Sequence, residues 1–380
     1  MKHIFQILKD PRIFIPIAFL LGFELFLQSG LYTKLMQPRS YADNVSRIIR
    51  LNGIGRDPNV LIIGTSVAYQ GIQMPQLNRL LAKDGLVVES GACEGAKLET
   101  QHLIMRELLK RMPNVKTIVH VVEASHPGTA RHHQDLANRS MAAQFNRFEA
   151  LDVLSRHKLR VEPTDYTYFF IRSLTYQKDL RDFVLDPLDR LKGIGRRGKE
   201  EIPGQLYENP HKYRLSAYPA KNVKECIERA NSADIEQMGR DVTDKHHRNA
   251  VRLTCEIVLW DPLSGPGNDQ WTHLFFDRLG VVYKEIAERG IRIVVVFSPY
   301  SDILQDLNAE YRMQAWREGL ARTAPAGRFD TVDMRKVLDG PNNADYYYDT
   351  IHLNRYGAER FTDEFAKTVG PILKANLKAN

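Results

Sequence analysis

Four apolar runs, each stopped by small polar residues, restrict what this chain can fold into more than any other feature. Residues 59–64 (NVLIIG) close on Gly64-Thr65-Ser66, 86–89 (LVVE) on Ser90-Gly91, 116–123 (KTIVHVVE) on Ala124-Ser125, and 291–297 (IRIVVVF) on Ser298-Pro299. They are near-continuously apolar, as strands covered on both faces must be. Helical patterns at 75–83, 98–111 and 271–289 lie between them. This alternation predicts an α/β fold, a parallel sheet with right-handed crossovers and helices on both faces, hence three layers. It resumes after residue 297 with a helix near 307–322, a short strand at 328–332 and a last helix at 356–369. Between 128 and 269 it fails, and that stretch reads as an inserted, mainly helical subdomain. The α/β domain then comprises 59–127 and 270–380.

The N-terminus follows a different pattern. Residues 13–32 (IFIPIAFLLGFELFLQSGLY) approach the length needed to cross a hydrocarbon core of about 30 Å, with Glu24, Gln28 and Ser29 as polar residues. No small-x-small cleavage site follows, so the segment reads as an uncleaved transmembrane anchor rather than a signal peptide. A buried core helix is the alternative. Lys2, Lys9 and Arg12 precede the run and favour a cytoplasmic head, while Lys34, Arg39, Arg47 and Arg50 beyond it weaken that asymmetry. The expected organisation is 1–32 as cytoplasmic tail and anchor and 33–58 as a juxtamembrane linker. Everything beyond then lies outside the cytoplasm, in the periplasm if the membrane is an inner one, and lipid contact runs through 13–32.

Composition excludes several classes. With 43% hydrophobic and 26% charged residues the 380-residue chain is ordinary globular protein, and a net charge of +7 without a basic block interleaved with aromatics gives no case for nucleic-acid binding. The three cysteines, Cys93, Cys226 and Cys255, have no CxxC spacing, so a structural zinc site is not expected. Cys226 and Cys255 are open to two readings, a pair or two reduced thiols.

In an open parallel sheet, ligands bind outside the carboxyl ends of the strands. The residues there are Gly64-Thr65-Ser66, Gly91, the 123–126 loop and Ser298-Pro299-Tyr300, joined by 346–365 (YYYDTIHLNRYGAERFTDEF) before the last helix. Asp349 and His352 stand three apart on a loop entering that helix, so one loop can deliver both to one point. A serine, a histidine and a carboxylate converging at strand ends are the components of a nucleophilic hydrolase.

On these motifs the chain resembles the SGNH, or GDSL-like, esterases and acyltransferases. That family carries its serine in a GDS motif after the first strand, where this chain has Gly64-Thr65-Ser66, and its acid and base in DxxH before the final helix, here Asp349 and His352. The continuation HLNxxGAxxF, 352–361, is similar to that of membrane-associated members. The resemblance covers roughly 59–127 and 270–375. It implies Ser66 as nucleophile, His352 as base and acid, Asp349 as its orienting partner, and the amides of Ser66 and Gly91 as oxyanion donors, with Gly95 a competitor for Gly91. The family's GxND asparagine is absent: Val122-Glu123-Ala124-Ser125-His126 stand in its place, leaving Ser125 or His126 as replacement donor. The implied activity is a membrane-anchored, cofactor-free serine O-acetyltransferase or esterase acting on cell-surface or exported polysaccharide, with an integral membrane acyltransferase as donor partner. The rival is a catalytically inactive glycan-binding or assembly protein on the same fold, and a lipase-like esterase is a third reading.

Other motifs have plainer readings. GIGRRG at 193–198 lacks a preceding buried strand and reads as a basic flexible loop rather than a dinucleotide site. His132-His133 and His246-His247 are adjacent pairs whose side chains diverge, which argues against metal ligation. Gly267-Asn268-Asp269 only partly matches the lost GxND motif. Tyr346, Tyr347 and Tyr348 suit an acyl pocket, a sugar platform or simple packing.

Overall fold

The computed structural model describes residues 10–38, 40–127, 136–159, 162–200, 209–232, 242–260, 270–304, 310–324 and 327–379. Lys2, Lys9, Arg39, His132-His133 and Gly267-Asn268-Asp269 lie outside them. In chain order the helices are α1 (Pro11–Gln28), α2 (Tyr41–Leu51), α3 (Ser66–Gly71), α4 (Met74–Leu81) and α5 (Leu98–Leu109). The insertion supplies α6 (Leu136–Ala142), α7 (Arg147–Arg156), α8 (Pro163–Phe170), α9 (Arg172–Thr175), α10 (Gln177–Leu185), α11 (Pro187–Glu200), α12 (Val223–Ser232) and α13 (Val242–Trp260). The chain returns to the sheet through α14 (Gln270–Glu288), α15 (Glu310–Thr323) and α16 (Arg355–Ala379).

Five strands, β1 (Val60–Gly64), β2 (Val88–Ser90), β3 (Thr117–Val122), β4 (Arg292–Phe297) and β5 (Phe329–Asp333), form one sheet in the order β2-β1-β3-β4-β5. All four pairings are parallel. β1 and β3 are wholly buried, which is why their sequences are mostly apolar instead of alternating, with His120 in β3 bonded to Tyr283 and Gln101. The chain leaves β1 toward β2 on one side and returns to β3 on the other. The β1/β3 boundary is therefore a topological switch point, where side chains from both strand ends face one crevice.

Three sequence expectations change. Residues 33–58 are not a linker: α2, capped by the Ser40 hydroxyl accepting the Asp43 N–H, buries Val45, Ile48 and Leu51 in the main core. Its amphipathic stripe is too short to separate by eye from a polar connector after an apolar anchor. GIGRRG lies inside α11 rather than in a loop, because the 187–200 segment continues an amphipathic helical pattern that tolerates three glycines. The last helix runs on to Ala379, past Pro371.

α1 is long and apolar enough to cross a membrane, and every residue from Pro11 to Gly22 is exposed. Asp10 caps it, accepting the Arg12 N–H. The insertion is helical, and within it Cys226 and Cys255 are disulfide-bonded, tying α12 to α13, while Cys93 is free and buried. Ile48→Ala should cost about 2–5 kcal/mol, the usual loss for a buried isoleucine cut to alanine, read from urea unfolding. A residue in a linker would show almost no loss.

Candidate active site

Ser66 is the first residue of α3, directly after β1. The turn is tight: a Cβ at Gly64 would overlap both the Ala68 side chain and the Val121 carbonyl of β3. Only a glycine lets the strand end and the helix start at that distance. The hydroxyl of Ser66 is thereby held at the carboxyl edge of the sheet, partly exposed.

His352 and Asp349 reach the same point from residues 347–353, a loop closed by the Tyr347–Leu353 bridge. Asp349 Oδ1 accepts the N–H groups of Ile351 (2.9 Å) and His352 (2.8 Å), and its Oδ2 lies 2.8 Å from His352 Nδ1. His352 Nε2 lies 2.8 Å from Ser66 Oγ. The structure thus brings Ser66, His352 and Asp349 into one hydrogen-bonded chain across 286 residues of sequence.

The HLNxxGAxxF segment explains how the loop is held. Asn354 caps α16: its side-chain NH2 donates to the carbonyls of Asp345 (2.7 Å), Tyr213 (3.1 Å) and Tyr347 (3.2 Å), and its Oδ1 accepts from Gly357 N–H. A Cβ at Gly357 would overlap the Tyr346 carbonyl, so this close approach also requires glycine. Phe361 packs beneath, near Gly71 of α3.

The insertion contributes residues that local sequence could not identify. Asn209 is buried, and its side-chain NH2 donates to Gln70 O in α3 (2.8 Å) and to Leu353 O (2.7 Å), stapling the serine helix to the histidine loop. The His211 ring stacks on Tyr348 with centroids 4.1 Å apart, and His247 lies against the same tyrosine at 4.8 Å, with Tyr213 stacked on His247. Of the three tyrosines, Tyr348 faces this aromatic group and Tyr347 is buried packing. His246 is exposed and His247 buried, so the pair does diverge. Among the described residues no cluster of side chains is suited to hold a metal.

The expected oxyanion donors are arranged otherwise. The Gly91 N–H donates to Ile62 O at 2.7 Å, completing the β1 ladder one residue past β2, and is therefore spent. Cys93 N–H does the same to Gly64 O. Gly95, at φ 67°, has an N–H with no hydrogen bond among the described residues. Ser125 Oγ is 2.5 Å from Tyr300 Oη. His126 Nδ1 accepts the Glu123 N–H and its Nε2 pairs with the Glu123 carboxylate at 3.0 Å, so both ring nitrogens are occupied. Ser125 and His126 thus serve a network around Glu123 and Tyr300 rather than joining Ser66 and His352.

Electrostatics favour the charged form of the imidazole. Burial alone would lower the His352 pKa, but the paired Asp349, with Glu123 and Glu94 beyond, raises it to about 9. Asp349 is held below the ordinary carboxylate range in return, since His352 and two backbone N–H groups outweigh its burial. Burial lowers the pKa of the neighbouring His211. Glu94 accepts from Gln70 (2.5 Å) and from Asn44 of α2 (3.3 Å), which fixes it beside the site.

Compared with known proteins, the chain matches no family model and no curated sequence. The chemistry must be argued from the geometry. Below pH about 9 the imidazolium donates Nε2–H to Ser66; once deprotonated, with Nδ1–H donated to Asp349, Nε2 accepts the serine proton and the hydroxyl becomes a nucleophile. Labelling of Ser66 by a fluorophosphonate should therefore accelerate about tenfold per pH unit and level off near pH 9. The stability term runs the other way: the folded value exceeds the unfolded value of about 6.5, so the His352 contribution is complete below that and lost as pH rises to about 9. Asn209→Ala, which leaves two carbonyls without a donor, should slow labelling at every pH and cost about 1–3 kcal/mol in urea. Unchanged labelling would show that the staple does not position the serine.

Proposed function

We propose that this protein is an SGNH-type serine O-acetyltransferase or esterase, anchored by α1 and acting outside the cytoplasm on a cell-surface or exported polysaccharide. The observation that carries the reading is the 2.8 Å contact of His352 Nε2 with Ser66 Oγ, backed by Asp349 at 2.8 Å. Ser66 Oγ attacks an acyl carbonyl while its proton passes to His352 Nε2. The tetrahedral adduct collapses, the leaving alcohol takes that proton, and an acyl-Ser66 ester remains. His352 then removes a proton from a sugar hydroxyl or from water, which attacks the ester, and Ser66 Oγ leaves, taking the proton back from His352 Nε2. An integral membrane acyltransferase on the same membrane is the donor this scheme calls for, and tethering raises its effective concentration.

The oxyanion donors proposed are the Ser66 N–H at the start of α3 and the Gly95 N–H, with no side-chain donor replacing the absent asparagine. The aromatic group of His211, Tyr348 and His247 beside the triad supplies flat faces of the kind that bind sugar rings. The Cys226–Cys255 disulfide supports an oxidising compartment, and the basic residues before α1 support a cytoplasmic N-terminus. One observation favours the second reading, an inactive glycan-binding protein: the Ser125 hydroxyl and both His126 ring nitrogens are engaged with Tyr300 and Glu123.

Acyl transfer and ester hydrolysis decide between them. Ser66→Ala should lose activity to background while retaining glycan binding; if the wild type is equally inactive, the binding reading stands. Ser125→Ala should stay within roughly threefold of wild type, against the hundred- to thousand-fold cost of removing an oxyanion donor. A loss of that larger size would restore Ser125 to the oxyanion site.

A further inference from the structure

The foot of α1 is fixed to the insertion rather than hung from a flexible connection. Glu24 accepts the backbone N–H groups of Arg172 (2.6 Å) and Ser173 (3.0 Å) at the start of α9. Gln28 donates to Phe170 O at 2.8 Å, and Arg147 of α7 donates to Gln28 Oε1 at 2.7 Å. Leu27, Tyr32, Met36 and Tyr176 form a second small core against which Phe23, Phe26 and Phe183 pack. Glu24, costly in lipid, thus caps a helix end instead.

This docking leaves too little helix to cross a bilayer. Ahead of Phe23 and Glu24, the first residues held by the insertion, the exposed run from Pro11 to Gly22 is twelve residues, or about 18 Å at 1.5 Å per residue, against a hydrocarbon core of about 30 Å. Asp10 and Arg12 mark its other end, and tilting only increases the shortfall. Around the docked foot the insertion exposes large apolar side chains. Phe148 is 69% exposed, Val184 79%, Leu185 74% and Leu188 69%, and Phe170 and Leu174 are exposed as well. Phe148 packs edge-on to Phe170, whose carbonyl holds Gln28, and Val184 and Leu185 directly follow Phe183 of the second core. Large exposed apolar side chains repeated along the helices that hold an apolar helix are more than the scatter of single residues normal on a soluble surface.

We infer that α7–α11 form a collar that sinks into one leaflet of the lipid bilayer, so that helix and collar together bury the depth the helix alone lacks. Interfacial helices enter by about 5–10 Å, which with the exposed part of α1 approaches the hydrocarbon thickness. A lipid surface is the occupant the lengths favour: a protein partner would cover the collar but leave α1 short. Lys178, Arg181 and Lys192 are exposed there alongside Asp186 and Asp189, so the attraction is apolar and weakly dependent on lipid charge.

Full-length protein carrying Leu185→Cys or Leu188→Cys tests this in phosphatidylcholine vesicles. The new thiol is the reactive one, since Cys93 is buried and the other two cysteines are paired, and both positions are exposed, so the fold is undisturbed. With an environment-sensitive fluorophore on that thiol and bromine on the lipid acyl chains, both sites should lose at least about half of their emission, as Phe19→Cys should within α1. Tyr311→Cys, on α15, should lose none. Quenching at Phe19 with none at 185 and 188 would overturn the collar, as would equal quenching at 311; absence of quenching at Phe19 would remove the anchor and the collar together. Ser66 labelling, measured on the same samples, separates any of these outcomes from failure of the proposed enzymatic reading.

Discussion

Parallel pairing of β1 with both β2 and β3 is the constraint on which the site depends. Parallel strands send all their carboxyl ends to one edge, so the serine turn, the Glu123 loop and the segment after β4 meet there. A parallel sheet alone would still leave Ser66 too far back; the missing Cβ at Gly64 lets α3 begin against β3. The same device recurs at Gly357, where the absence of a side chain lets α16 press on the Tyr346 carbonyl and present His352. Two close backbone contacts, one at each end of the sheet's chain order, fix the two halves of the triad.

Where a signal was local, the sequence carried it. The strands were legible because burial on both faces demands continuous apolar runs, and Ser66, Asp349 and His352 because each sits at a strand end or helix entry with a short motif around it. Asn209, His211 and Glu94 were not legible. Asn209 acts by donating to carbonyls 139 and 144 residues away, and no spacing rule encodes such a partnership. Gly91 was misassigned for a related reason: the β1 ladder takes up its N–H one residue after β2 ends, and ladder ends shift by a residue or two without altering the apolar pattern. α2 was misread because its buried stripe, Val45, Ile48 and Leu51, is only one face of an eleven-residue helix.

Three carboxylates, Asp349, Glu94 and Glu123, act on one imidazole, and each is stabilised separately. Asp349 is held by two N–H groups of its own loop, Glu94 by two side-chain amides, and Glu123 by His126, with Tyr300 linked to Ser125 beside it. Burying a carboxylate without such donors costs several kcal/mol, so the networks that looked like spare oxyanion donors are better understood as what keeps negative charge near His352. That charge favours the imidazolium and makes the free base scarcer at neutral pH. In the proposed reaction it would trade resting reactivity for stabilisation of the imidazolium formed when Ser66 gives up its proton.

The insertion is pinned to the α/β body through α7. His102 of α5 is hydrogen-bonded through Nδ1 to His157 at the end of α7 and through Nε2 to Glu285 of α14, and Arg106 joins Glu285 to Asp152 of α7. Burial keeps both histidines below their ordinary pKa, and Glu285 lies well below the carboxylate range because these donors outweigh its burial. With His102 neutral and its Nε2–H given to Glu285, its Nδ1 accepts from His157 Nε2–H, which leaves His157 Nδ1 the buried nitrogen without a partner. One orphaned nitrogen is a small cost for a network that locks α7 to two helices of the α/β body. α7 also holds Gln28 at the foot of α1, and Asn209 and His211 of the same insertion bond to the segment that carries His352, so the insertion contacts both the apolar helix and the site. In the membrane-anchored reading proposed above, these contacts would set both the height and the heading of Ser66 relative to the bilayer, which a flexible tether of equal length would leave free.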